Sequence, residues 1–129
     1  MSGPDSPLTL AARIEAIEQA YELMLAYAAQ GRQSDDGPDS TIRQFMRRAR
    51  AALDGLASQL RATLPEGGDF IDVLEQDARA TEAAFRLVLA QSALSSQLID
   101  DLNASIHVRA LLTDVFLVDE VLKSRVGHE

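Results

Sequence analysis

A chain of 129 residues is the size of one domain and can bury one hydrophobic core. At 47% hydrophobic and 25% charged its composition is globular, which excludes general disorder. Twenty acidic residues against twelve basic ones, a net charge of −8, argue against nucleic acid or an anionic membrane as partner and favour basic partners.

The absence of cysteine removes disulfides, thiolate metal sites and cysteine nucleophiles from consideration. The opening MSGPDSPLTL lacks the basic region and apolar run of a signal peptide, and no stretch approaches the ~18 consecutive apolar residues of a membrane span. A cytoplasmic protein is therefore expected. Eleven arginines against one lysine, with twenty alanines, suggest a bacterial source with a GC-rich genome. Alanine-rich interiors favour closely packed helices over a roomy cofactor cavity, and no cofactor is expected.

Helical periodicity runs from residue 8 to residue 124, and no segment alternates as a strand does. The first helix is expected over about 7–30, with Ser6 as cap, Pro7 in the first turn and Gly31 as a left-handed stop. The segment GRQSDDGPDS follows, and residues 31–39 are expected to form a mobile loop. The second helix is placed over about 40–64, ended by Pro65 and Gly67-Gly68. Asp69 then caps a third helix over about 69–94, and a fourth runs over about 97–124, followed by a flexible tail at 125–129.

The boundary between the third and fourth helices lacks glycine and proline. Ser95-Ser96 divides the remainder into rods matched to the first two, and Asn103 to Ser105 is the competing break. Without either break, residues 69–124 form one long helix and a second chain must complete the bundle. The expected fold is all-α: an antiparallel up-down four-helix bundle, with the third and fourth helices merged in a dimer as the variant.

Steps of 100° sort each helix into faces. The first carries the seam Leu10, Ile14, Ile17, Tyr21, Met24, Leu25 and Ala28, and a second apolar stripe, Ala16, Ala20, Leu23 and Tyr27. The second helix is one-sided, with Ile42, Phe45, Met46, Ala49, Leu53, Leu56, Leu60 and Leu64. The third has extra apolar positions at Val73, Ala80, Ala84, Leu87, Leu98 and Leu102, and the fourth at Phe116, Leu117 and Val121. Helices at the corners of a bundle touch two neighbours and need wide arcs, which accounts for some of this surplus. The remainder marks a partner face, rimmed by Asp100, Asp101, Asp114 and Glu120.

The segment FMRRAR, with Arg43 upstream, puts four arginines into eight positions. Glu15, Glu18 and Glu22 flank the first helix's seam on the same hand as Arg43, Arg47 and Arg50 flank the second's, so these six are expected to meet as ion pairs across an antiparallel hairpin. Arg48 points elsewhere and stays free for a partner, as does Arg61.

Catalytic and metal patterns are scarce. A di-iron bundle needs Glu-x-x-His pairs, and His107 is preceded at that spacing by Ala104. His107 reads as a surface histidine paired with Asp114. Asp119 falls inside an apolar arc, where it meets Arg13 or reaches water near the helix end. Asp35, Asp36 and Asp39 do not have calcium-loop spacing.

The expected function is thus a non-catalytic interaction, assembly or regulatory module with no metal. It is homo-oligomeric, most simply a dimer, and binds a protein partner through Leu98, Leu102, Phe116, Leu117, Val121 and Arg48. The alternative is a bundle holding a small molecule or metal in its interior near Tyr21, Met24, Met46 and Phe85.

Overall fold

The structure, a computed structural model, describes residues 8–126. The proposed start at Ser6-Pro7 and the end of the tail, His128 included, lie outside the described residues. Among those described there is no strand, and the helices number six: α1 (Leu10–Ala28), α2 (Thr41–Leu53), α3 (Leu56–Thr63), α4 (Gly68–Leu89), α5 (Ser96–Ala104) and α6 (Ile106–Val126). A 3-10 turn, Pro65–Gly67, joins α3 to α4.

The helix count exceeds the expected four because two rods are broken. The second breaks at Asp54-Gly55, where Gly55 takes φ +88°, a left-handed conformation open to glycine at little cost. The Arg13 guanidinium of α1 stabilises the break by donating to the carbonyls of Ala51 (3.2 Å), Ala52 (3.0 Å) and Asp54 at the end of α2, while its Nε donates to Gln59 Oε1 at 2.7 Å. Carbonyls at a helix end lack intrahelical donors, and the guanidinium supplies them. Arg13 therefore has this task and is not the partner of Asp119. That carboxylate instead bonds Lys123, one turn along α6, at 3.0 Å.

Beyond α4 both candidate breaks occur. Ser95 Oγ accepts from Leu98 N at 3.0 Å and starts α5, and Ser105 Oγ accepts from Val108 N at 3.3 Å and starts α6. Both serines have extended backbone, as an N-cap requires. A single helix over 69–124 is excluded, and α4 ends at Leu89, earlier than expected. α1 starts at Leu10, where Thr9 Oγ1 accepts from Ala12 N at 3.1 Å. Asp69 lies in the first turn of α4 and is not its cap, a position held by Gly67.

Paired contacts run in opposite senses along neighbouring helices. Arg43 and Arg50 of α2 meet Leu89 and Glu82 of α4, Arg61 of α3 meets Asp72 and Glu75, and Thr81 and Glu66 meet His107 and Arg125 of α6. Met24 and Tyr27 of α1 meet Asn103 of α5 and Leu94 just before it. The core lies between these elements, with Met24, Met46, Leu56, Leu60, Ile71, Leu74, Ile99, Leu111 and Val115 fully buried.

Residues 31–39, expected to move freely, are fastened instead. Asp35 is buried: its Oδ2 accepts from Arg43 Nε (2.6 Å) and Ser40 Oγ (2.6 Å), and its Oδ1 accepts from Leu94 N (3.0 Å). Arg43 in turn donates to Leu89 O (3.0 Å) and Gln91 O (2.8 Å). Ser96 adds a second tie, exchanging bonds with Arg32 N (2.8 Å), Arg32 O (2.9 Å) and Tyr27 O (2.7 Å). Burial opposes ionisation of Asp35, yet the bonds from Arg43, Ser40 and Leu94 hold its carboxyl well below its ordinary 3.8.

Because the folded-state value is depressed, the pair contributes stability above about pH 4 that is lost as the pH falls toward the folded-state value. Asp35→Asn leaves Arg43 buried without its counter-charge and should cost about 3–5 kcal/mol at pH 7, read as a lower urea midpoint. A loss below about 1 kcal/mol would show that the loop does not depend on the pair.

Candidate interaction face

The six-residue ion-pair scheme is not what forms. Arg43 serves Asp35, Arg47 donates to Pro38 O at 2.7 Å with Asp39 beside it at 3.9 Å, and Arg50 bonds Glu82 of α4 at 3.2 Å. Glu15 accepts from Gln19 on its own helix, and Glu18 lies near Asp119 and Lys123 of α6. The physical reason is the order of neighbours: the basic flank of α2 turns toward α4, while on α1 Glu18 lies toward α6 and Glu15 and Glu22 are exposed. Arg61, expected to be free, bonds Asp72 (2.7 Å) and Glu75 (2.9 Å). Arg48 lies over the Phe45 ring, 4.8 Å from its centroid, on an exposed part of α2.

Arg61 and Arg79 line an open groove between α2–α3 and α4, about 350 Å³ in the section beside Gly55, walled also by Asp54, Glu75 and Glu82. Arg50 and Arg47 extend it. Cations and carboxylates alternate and pair there, so the groove offers no unopposed positive field to an anion.

The apolar surplus divides in two. α5 packs on α1, which buries Ala20 and Tyr27 and half-buries Ala16 and Leu23, so the second stripe of α1 belongs to the core. The same packing buries Leu102 to 5% exposure and half-buries Leu98. Leu102 thus leaves the set of surface candidates.

On α4 and α6 the surplus stays uncovered. Val73, Asp77, Ala80, Ala84 and Leu87 follow helical spacing along α4, and Ala110, Asp114, Leu117 and Val121 follow it along α6. The stripes run side by side, because Asp77 faces Asp114 and Thr81 Oγ1 donates to His107 O at 3.0 Å. Leu87 is 68% exposed, Leu117 52% and Val73 49%, and Val121 is also open. The alanines between them are half-buried and let a partner backbone approach. At the Leu87 end the face runs into an apolar groove of about 370 Å³ lined by Leu87, Val88, Ala93 and Leu98. Phe116 is exposed as well, but 100° steps put it on the opposite flank of α6. Arg48, on α2, does not border the face.

Asp114 was expected at the rim, paired with His107. It is instead buried at 7% exposure within the face, its Oδ2 reached by no donor among the described residues, while the His107 ring is solvent-exposed. Burial, together with Asp77 facing it, pushes its carboxyl up to about 7. No sequence pattern marks this pair, because Asp77 and Asp114 meet only when α4 and α6 pack. A polar position inside an apolar heptad run of α6 was the available signal.

The folded chain keeps the Asp114 proton between its ordinary 3.8 and about 7, where the unfolded chain releases it, so this group's contribution to stability falls as the pH rises across that window. Asp114→Asn should therefore raise stability at pH 8 by about 2 kcal/mol and change it little at pH 4, measured by thermal melts at both pH values. Equal effects at the two would remove the buried-carboxyl reading. Neither a protein-family model, nor a curated protein, nor a solved structure matches this chain, so its function has to be read from the face itself.

Proposed function

We propose that the protein is a non-catalytic interaction module, of assembly or regulatory type, that docks a protein partner on the α4–α6 face. In this reading the six helices act as four antiparallel rods in up-down order, α2 with α3 forming one and α5 with α6 another, which leaves one broad side of the α4 and α6 rods unpartnered. The observation that carries the proposal is the exposure of Val73 and Leu87 on α4, with half-buried alanines between them, beside Leu117 and Val121 on α6. Fourteen residues at about 1.5 Å each give that α4 stripe a length of about 21 Å, enough for several turns of a docked helix. Exposed apolar side chains gathered on one face in this way are a mark of an interaction site, unlike singly scattered exposed leucines.

The alternative, a ligand in the interior, lacks room. The space among Tyr21, Met24, Phe85 and their neighbours is about 10 Å³, roughly that of one water.

Photocrosslinking tests docking. With p-benzoylphenylalanine replacing Leu87 or Leu117, irradiation of intact host cells should give a discrete adduct that Val73→Asp weakens, while the same group at the exposed Gln44 of α2 gives none. An adduct at twice the 14.0 kDa chain mass would identify a second copy, the dimer expected from the sequence. Absence of any adduct from both positions would sink the proposal.

A further inference from the structure

We infer that the α4–α6 face takes an amphipathic helix of a different protein, one bearing an arginine or lysine at the centre of its apolar stripe, with the cation seated between Asp77 and Asp114. This rests on the docking reading and names the chemistry of the occupant.

The face has two unlike parts. Its ends, Val73 with Leu117 and Val121 on one side and Leu87 with the groove at Leu98 on the other, are apolar and open. Between them two carboxyl groups face one another at hydrogen-bonding range, Asp114 buried and, among the described residues, with no donor to its Oδ2 beyond a proton shared with Asp77. Once that proton is released the two carboxylates repel and a buried acceptor is left without a donor, and what completes the centre is then a positively charged donor. A guanidinium or ammonium from a docked helix supplies both bonds and charge, and the surrounding apolar contacts exclude the water that would screen them.

A second copy of this chain fits poorly. No lysine or arginine lies on either stripe. On neighbouring flanks, Lys123 bonds Asp119 and Arg79 pairs with Glu75. Among the described residues His107 and Arg125 stand in line with the α6 stripe, seven and eleven residues from Asp114, about 10 and 16 Å along the helix, and Arg125 is engaged by Glu66. A two-fold pairing of these faces would bring the two carboxyl pairs toward each other with no long cationic side chain to separate them.

The probe is a designed amphipathic peptide of about 15 residues with one leucine stripe and a central arginine, compared with the same peptide carrying norleucine at that position. Binding is read by fluorescence anisotropy at pH 8, on the wild-type chain and on Asp77→Asn/Asp114→Asn, whose folding is checked by circular dichroism. The arginine peptide should bind the wild type about tenfold more tightly than the norleucine peptide, and the double variant should abolish that preference while still binding norleucine. Equal affinities, or a preference that persists in the double variant, would overturn the inference and leave docking standing. Failure of both peptides to bind would remove the docking reading and the inference together. A wild-type chain that sediments as a dimer, and that Leu117→Asp makes monomeric, would assign the face to a second copy and also overturn the inference.

Discussion

The buried Asp35–Arg43 pair is the constraint on which the arrangement of helices depends. Asp35 lies in the connection between α1 and α2, Arg43 in the first turn of α2, and besides Ser40 their bonds reach Leu89, Gln91 and Leu94 at and beyond the end of α4. One ion pair thus fixes three chain segments against one another. Its desolvation is offset because the polar atoms of both partners are engaged, which is the condition under which a buried pair is tolerated. Such a pair adds less to stability than to the choice of one packing over its neighbours, and here the choice is which side of α2 meets α4.

That choice propagates. With the basic flank of α2 turned to α4, Arg50 and Arg61 find their carboxylates there, and Glu18 of α1 is left beside α6. The connection from Gln91 to Ser95 is drawn toward Tyr27 and Arg32, so α5 lies along α1 and covers its second stripe. The break at Ser105 then returns α6 to α4. Its outer flank, and the flank of α4 beside it, have no further element among the described residues to cover them. The exposed face is therefore a consequence of where the chain is tied and where it breaks.

Much of the local structure was legible. The all-helical class followed from unbroken 3.6-residue periodicity and the stops at Gly31 and Pro65 from backbone chemistry, while Ser95-Ser96 followed from matched rod lengths and its competitor, Asn103 to Ser105, turned out to break the chain as well. The break at Gly55 was present in the sequence as a glycine within a helical pattern, but its stability comes from Arg13, some forty residues away, and no local rule reveals that. Leu117 and Val121 were recognisable as surplus, and so were Val73 and Leu87. Leu102 was equally surplus by period and lies buried, since the pattern records apolar character and not which surplus stripe a neighbour covers.

The sequence by itself determined a helical, acidic, cysteine-free chain with more apolar surface than one core requires, because composition and periodicity are properties of each segment alone. Which arginine meets which carboxylate, which stripe is covered, and that Asp77 and Asp114 share the centre of an uncovered face were decided only by the tertiary structure. Those outcomes depend on contacts between residues distant in the chain, and small angular choices at Asp35, Gly55 and Ser105 turn each helix face toward one neighbour or another.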